Sequence, residues 1–218
     1  MPTLFIATGN AHKVGEIRAV LGNGCTCLSQ RDAGMSLEIH ESGTTFAANA
    51  CLKAVTWAAF LGMDDDDLGS DWVLADDSGL EVDALGGAPG VHSARFAALE
   101  SGQAGNSPDS ENNAKLLRLL EGVPDGKRTA RFRCVLALTP VRAGAAVDEL
   151  AGETRRFDGA CEGRIQRQPA GAGGFGYDPL FVPQGHDLSF AELGESVKNT
   201  LSHRAKALAQ LAAFLRGN

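Results

Sequence analysis

The sequence predicts an α/β fold with a central mixed β-sheet flanked by helices. Short apolar, β-branched runs alternate with helical periodicity in the first half of the chain, and consecutive strand signals follow one another in the second. No internal repeat or clear linker interrupts the pattern, so the 218 residues are read as a single domain, 1–218, with either one well-filled core or two lobes sharing a sheet.

The first strand is expected over Thr3–Thr8, and Gly9-Asn10 turns it into a helix with Val14, Ile17 and Leu21 on one face. Gly22-Asn23-Gly24 ends that helix, and Cys25–Ser29 reads as a second strand. A second helix should begin after Ser42-Gly43, take its cap from Thr44 and run to about Leu61, with Phe46, Ala50, Trp57 and Leu61 as its buried stripe. On its other side Thr45, Asn49 and Lys53 recur every four residues and form one polar column, which either meets solvent or faces a ligand.

Met63–Asp71 contains Asp64-Asp65-Asp66-Asp67 and reads as a solvated loop, since adjacent like charges repel. Trp72–Ala75 is a short buried strand that should end at Asp76-Asp77. Ser107-Pro108-Asp109 predicts a helix start with a capping hydroxyl, a proline at the first helical position and an acid in the first turn; Leu116, Leu117 and Leu120 follow, and Gly122 stops it. Ala130–Leu138 reads as a strand, and strand and turn signals return over Thr154–Ile165. The last helix is expected from Ser202, with Leu208, Leu211, Phe214 and Leu215 toward the core.

A formal net charge of -7 argues against a nonspecific grip on nucleic acid, which relies on clustered Lys and Arg. The opening MPTLFIATGN has a short apolar run and no basic lead, so neither a signal peptide nor a membrane span is expected there, and the chain is placed in the cytoplasm. Cys25, Cys27, Cys51, Cys134 and Cys161 form an odd set without a CxxC pair. They are read as reduced thiols, with a chelate at Cys25-Thr-Cys27 as the minor alternative.

Several segments can carry chemistry. Thr8–Lys13, TGNAHK, gathers a hydroxyl, an amide side chain and an ammonium at a helix start, where unpaired N–H groups and the dipole attract anions. The Walker pattern is absent, because Gly126-Lys127 is followed by Arg128. Asp76-Asp77 stands at a strand end, where α/β sheets bind ligands, and supplies the hard oxygen donors that suit Mg²⁺; Glu38 and Glu41 are candidates for a second carboxylate. The alternative role for the aspartates is to accept hydrogen bonds from a Ser78-Gly79 turn.

Gly171–Pro179, GAGGFGYDP, contains G-x-G-x-x-G but lacks the strand before it and the helix after it, which disfavours a dinucleotide fingerprint. Its glycines suit close approach of a planar ligand, with Phe175 either stacking on that ligand or filling the core. Lys198, His203 and Arg204 cluster around the expected start of the last helix, where the dipole repels cations, so an anion or acceptor-rich partner is expected nearby.

Taken in order, TGNAHK, ESGTTFAANACLKA, ADDSGLEVDALGGAPGVHSARF, GGFGYDPLF and SHRAKAL resemble the inosine triphosphate pyrophosphatases, from Leu4 to the C-terminal helix. The resemblance implies an elongated, two-lobed fold, a homodimer, and Mg²⁺-dependent hydrolysis of dITP, ITP and XTP to the monophosphate and pyrophosphate. It implies that Thr8, Gly9, Asn10, Ala11, His12 and Lys13 hold the triphosphate with Lys53 nearby. Asp77 would be metal ligand and general base, with Ser78 touching substrate beside it and Asp76 supporting the turn. Glu41, which lies in the family's ExGxT pattern, is favoured over Glu38 as the second metal carboxylate. Phe175 would stack on the base, and Gly176, Tyr177, Asp178, Lys198, His203 and Arg204 would enclose it. The related Maf-like enzymes carry an N-terminal Ser-x-Ser-Pro-Arg signature that is missing here, and halo-acid-type phosphatases need Asp-x-Asp.

Overall fold

A computed structural model describes residues 1–63, 69–102 and 105–217, so the expected acidic loop at Asp64-Asp65-Asp66-Asp67 lies outside the described residues. The chain runs β1 (Thr3–Ile6), α1 (Ala11–Leu21), β2 (Thr26–Ser29), α2 (Phe46–Leu61), β3 (Trp72–Val82), α3 (Ala98–Ser101), α4 (Asp109–Leu119), β4 (Thr129–Pro140), α5 (Val147–Glu153), β5 (Arg155–Ile165), β6 (Phe181–Pro183), α6 (Phe190–Leu201) and α7 (His203–Gly217). Among the described residues the strands form one six-stranded sheet in the order β2-β1-β3-β4-β5-β6. β1 pairs in parallel with β2 and β3, whereas β5 and β6 are antiparallel, so the sheet is mixed as expected. No helix among these residues is long and apolar enough to cross a membrane.

The chain divides into two compact units, and the division falls inside β3, β4 and β5. Met1–Asp77, Cys134–Gly159 and Arg204–Asn218 make the first unit, and Ser78–Arg133 with Ala160–His203 the second.

In the first unit the pleat of the strands sorts side chains between two faces. Leu4 and Ile6 of β1 and Leu74 of β3 share a core with Val14 and Ile17 of α1 and Leu208 and Leu211 of α7. Phe5, between Leu4 and Ile6, points the other way and meets Trp57 of α2 with ring centroids 4.7 Å apart. Thus α1 and α7 cover one face and α2 the other. Trp57 is 1% exposed and also touches Phe60. Trp57→Ala should therefore destabilise the protein by about 3–5 kcal/mol, read as a lower urea midpoint at unchanged slope; a midpoint unmoved by the substitution would contradict this packing.

The second unit has its own core, in which Leu80, Leu116, Leu120, Phe132, Phe181 and Phe190 pack together. Phe132 and Phe181 approach to 4.7 Å between centroids.

Several boundaries differ from the sequence reading for identifiable reasons. β3 does not stop at Asp76-Asp77 but continues to Val82, because both acids are satisfied by side chains rather than by a Ser78-Gly79 turn. The cap of α2 is Thr45, not Thr44, and its hydroxyl accepts from Ala48 N at 3.1 Å. Ser107 does not cap α4; its hydroxyl accepts from Ala98 N at 2.8 Å, and Pro108 takes the cap position with no side-chain bond. The sequence reading also missed α6, which begins in a reciprocal capping box between Ser189 and Glu192 and is broken by non-helical Gly194.

Candidate active site

The β1–α1 turn is built by its own polar side chains. Thr8 N donates to Ile6 O at 2.9 Å, and Thr8 Oγ1 accepts from Asn10 N at 3.2 Å. Asn10 Oδ1 then accepts from His12 N at 2.9 Å and Lys13 N at 3.2 Å, which caps α1. Gly9, Asn10, Ala11 and His12 are exposed at this positive helix end, while the half-buried Lys13 sends its ammonium to Asp76.

Asp76 and Asp77 are 2% and 6% exposed, a placement that two adjacent carboxylates tolerate only with cations at hand. Consecutive residues of a strand face opposite ways, and here each acid meets its own set. Asp76, on the α1/α7 face with Leu74, pairs with Lys13 and with Arg204, whose Nε lies 2.8 Å from Oδ2; Cys134 Sγ donates to the same oxygen at 3.3 Å. Arg204, itself 1% exposed, also pairs with Glu16 of α1. Burial alone would raise the Asp76 carboxyl, but Arg204 and Lys13 outweigh it and hold its pKa well below the usual carboxylate range. The same acids keep the Arg204 guanidinium charged against the cost of its burial.

Asp77 faces α2. Its Oδ1 accepts from Lys53 Nζ at 3.2 Å and its Oδ2 from Asn49 Nδ2 at 3.3 Å. Lys53 Nζ also donates to Glu41 Oε1 at 3.0 Å, so one ammonium gathers two carboxylates. Asn49 Oδ1 accepts from Gly43 N at 2.8 Å, which ties the segment carrying Glu41 to the helix. Burial pushes the Asp77 carboxyl up, with Glu41 adding to the rise and Lys53 and Lys13 opposing it. For Lys53 the balance is reversed: burial disfavours its charge, but Asp77 and Glu41 raise its pKa. Of the polar column on α2, Asn49 and Lys53 reach Asp77 and Thr45 serves the cap. Glu41 lies on Lys53, whereas Glu38 is exposed.

A second group of the expected residues meets in the other unit. Lys198 Nζ lies 2.6 Å from Asp178 Oδ2 and 4.2 Å from the centroid of the half-buried Phe175 ring. Asp178 Oδ2 also accepts from Phe175 N at 2.9 Å. Gly174 has φ +74°, and a Cβ there would fall 2.2 Å from the Asp178 carboxylate, so only glycine lets the loop close on that acid. Tyr177 is buried, with its hydroxyl donating to Ser93 O at 2.9 Å, and His203 stacks on Phe132 at 4.8 Å between centroids.

The structure thus brings Lys13, Glu41, Lys53 and Asp77 together in the first unit and Phe175, Asp178 and Lys198 together in the second. Ser78 follows Asp77 in β3 and is half-buried. Lys198 proves to lie in the last turn of α6, where the dipole favours a cation, rather than at the start of the final helix. His203 and Arg204 do open α7, and the anions expected near that start are Asp76 and Glu16, which engage Arg204. Glu16 escaped the sequence reading; its only signal was a lone acid on the helix that carries Lys13. All the cysteines are free thiols. Cys25 and Cys27 stand 3.6 Å apart, and burial first, then its neighbour, pushes the Cys27 thiol up to about 12.

Residues 4–214 match the sequence profile of the Ham1 family. A dITP/XTP pyrophosphatase of Desulforamulus reducens is 46% identical over 213 residues, which cover 97% of this chain and 94% of that one. A dITP/XTP pyrophosphatase of Opitutus terrae is 43% identical, covering 98% of each chain. The solved structure of a HAM1 protein from Coxiella burnetii superposes with a TM-score of 0.81 at 35% identity over the whole of both chains.

Proposed function

Because the chain belongs to the Ham1 family, we propose that it is a nucleoside triphosphate pyrophosphatase that uses Mg²⁺ to split dITP, ITP and XTP into the monophosphate and pyrophosphate. The observation that carries this reading is the pair of carboxylates, Asp77 and Glu41, gathered by Lys53 with Lys13 near enough to act on Asp77 as well. Two oxygen donors suit Mg²⁺, which takes one or two carboxylates and leaves its other positions to water and phosphate. Among the described residues there is no larger cluster of His, Cys, Asp or Glu of the kind a structural metal needs. When held by Asp77 and Glu41, Mg²⁺ would supply charge neutralisation at the phosphate oxygens.

The chain's own groups divide the remaining work. Asp77 accepts the proton of the water that attacks the α-phosphorus, and a carboxyl whose burial raises its pKa is better matched to that role than an ordinary one. Lys13 and Lys53, with the positive end of the α1 dipole, meet the negative triphosphate. Phe175 offers a face for the base, and Lys198 and His203 offer donors for its 6-oxo group. Donors left unpaired by a 6-amino purine give discrimination of about 10⁴ to 10⁵ when the site is built around them. The same reading takes the active form as a cytoplasmic homodimer.

With Mg²⁺ present, pyrophosphate should be released from dITP and XTP far faster than from dATP or dGTP. A coupled assay that separates pyrophosphate from orthophosphate checks this directly. Release of single phosphate, or equal rates on all purines, would overturn the assignment.

A further inference from the structure

The loop that carries Phe175 is gripped from outside by a helix to which the proposed function assigns no part. Gly176 N donates to Asp109 Oδ2 at 2.6 Å, and Gly176 O accepts from Asn113 Nδ2 at 2.9 Å. Asp109 and Asn113 stand one turn apart on α4, so a single helix face holds both ends of one residue's backbone. Gly176 has φ +62°, a left-handed conformation that glycine adopts freely, so the two hydrogen bonds rather than steric restriction fix this peptide. Asn113 is buried, and among the described residues its Oδ1 has no hydrogen-bond partner, so the donation to Gly176 is what this amide contributes at the cost of an unsatisfied acceptor.

The rest of α4 is anchored firmly enough to serve as a template. Asn112 is buried and bonds the preceding loop through Ala97 N at 2.8 Å and Ala94 O at 3.2 Å. Next to Gly176, Tyr177 is tied to Ser93 O. Between these fixed points Phe175 and Asp178 receive their positions relative to Lys198. We propose that Asp109 and Asn113 are positioning residues that set the base preference of the enzyme by locking the Gly176 peptide. This deepens the proposed function and rests on Phe175 and Lys198 receiving the base.

The test compares Asp109→Ala, Asp109→Asn and Asn113→Ala with the unaltered protein. Two readouts are taken: hydrogen exchange of the segment 174–178, and kcat/KM for dITP relative to dATP. Asp109→Ala and Asn113→Ala should speed exchange in that segment and lower the dITP:dATP ratio by about 10- to 100-fold, the scale of a misplaced binding group, mainly through KM for dITP. Asp109→Asn keeps an acceptor for Gly176 N–H and should restore most of the ratio. Unchanged exchange would overturn the clamp, and faster exchange with an unchanged ratio would overturn its role in selectivity. If the unaltered protein shows no dITP preference, the proposed function itself fails, which the first measurement of the series reveals before any variant is compared.

Discussion

Asp77→Asn should lose turnover of dITP by at least about 10²- to 10⁴-fold, the usual contribution of a positioned general base, while folding as well as the unaltered protein. The two halves of that result have one cause. Burial raises the Asp77 carboxyl, so the folded state disfavours its charge relative to the unfolded chain, and replacing it with an uncharged amide removes that penalty. Lys53 keeps Glu41 at 3.0 Å, so no buried ammonium is stranded by the change. Pyrophosphate release measured beside thermal unfolding separates the outcomes. An Asn variant that retains a tenth or more of the activity (about 1.4 kcal/mol or less of lost transition-state stabilisation) would remove Asp77 from the chemistry, and a variant that loses activity only because it unfolds would show it in the melting curve.

Asp76→Asn should do the opposite, damaging the fold first. Its neighbours Arg204 and Lys13 are a fully buried and a mostly buried cation, and removing the anion between them leaves charge without compensation. Breaking such a cluster costs about 3–5 kcal/mol; the lower end is expected, because Glu16 still faces Arg204. The pH dependence identifies the mechanism. The folded pKa of Asp76 lies below the unfolded value of about 3.9, so its stabilisation is complete above that value and is lost as the pH falls through the folded one. The stability gap between the unaltered protein and Asp76→Asn, measured by urea unfolding, should stay constant from about pH 7 to 5 and narrow below about pH 4. A gap that is flat down to pH 2 would assign the loss to shape rather than charge.

What the sequence made legible was mostly local. Apolar spacing located α1, α2 and α7, and the alternation of β-branched runs with helical stripes was enough for a mixed α/β sheet, because these signals lie within a few residues of one another. The end of β3 was misjudged for a nonlocal reason: whether two adjacent acids can lie inside a strand depends on Lys13, Lys53 and Arg204, which are distant in sequence. Arg204 is 128 residues from Asp76, and although a cation at the start of the last helix called for an anion nearby, no local pattern says which acid supplies it. The same holds for Asp109 and Asn113, which look like an ordinary polar helix start until Gly176, 67 and 63 residues away, closes on them. α6 was missed although Ser189 and Glu192 form a reciprocal cap and Phe190, Leu193, Val197 and Leu201 keep helical spacing, since a glycine at 194 reads as a helix stop.

The pleat of β3 makes length, rather than composition, the vulnerable property of this segment. Deleting a single codon between Trp72 and Ala75 would remove one small or apolar residue and no charge, yet every later side chain of the strand would change face. The acid now facing Arg204 would be offered to Lys53, and the acid now facing Lys53 to Arg204, so that stability and turnover would fail together. Frameshift-neutral indels should therefore be far rarer in β3 than point substitutions among variants selected for function.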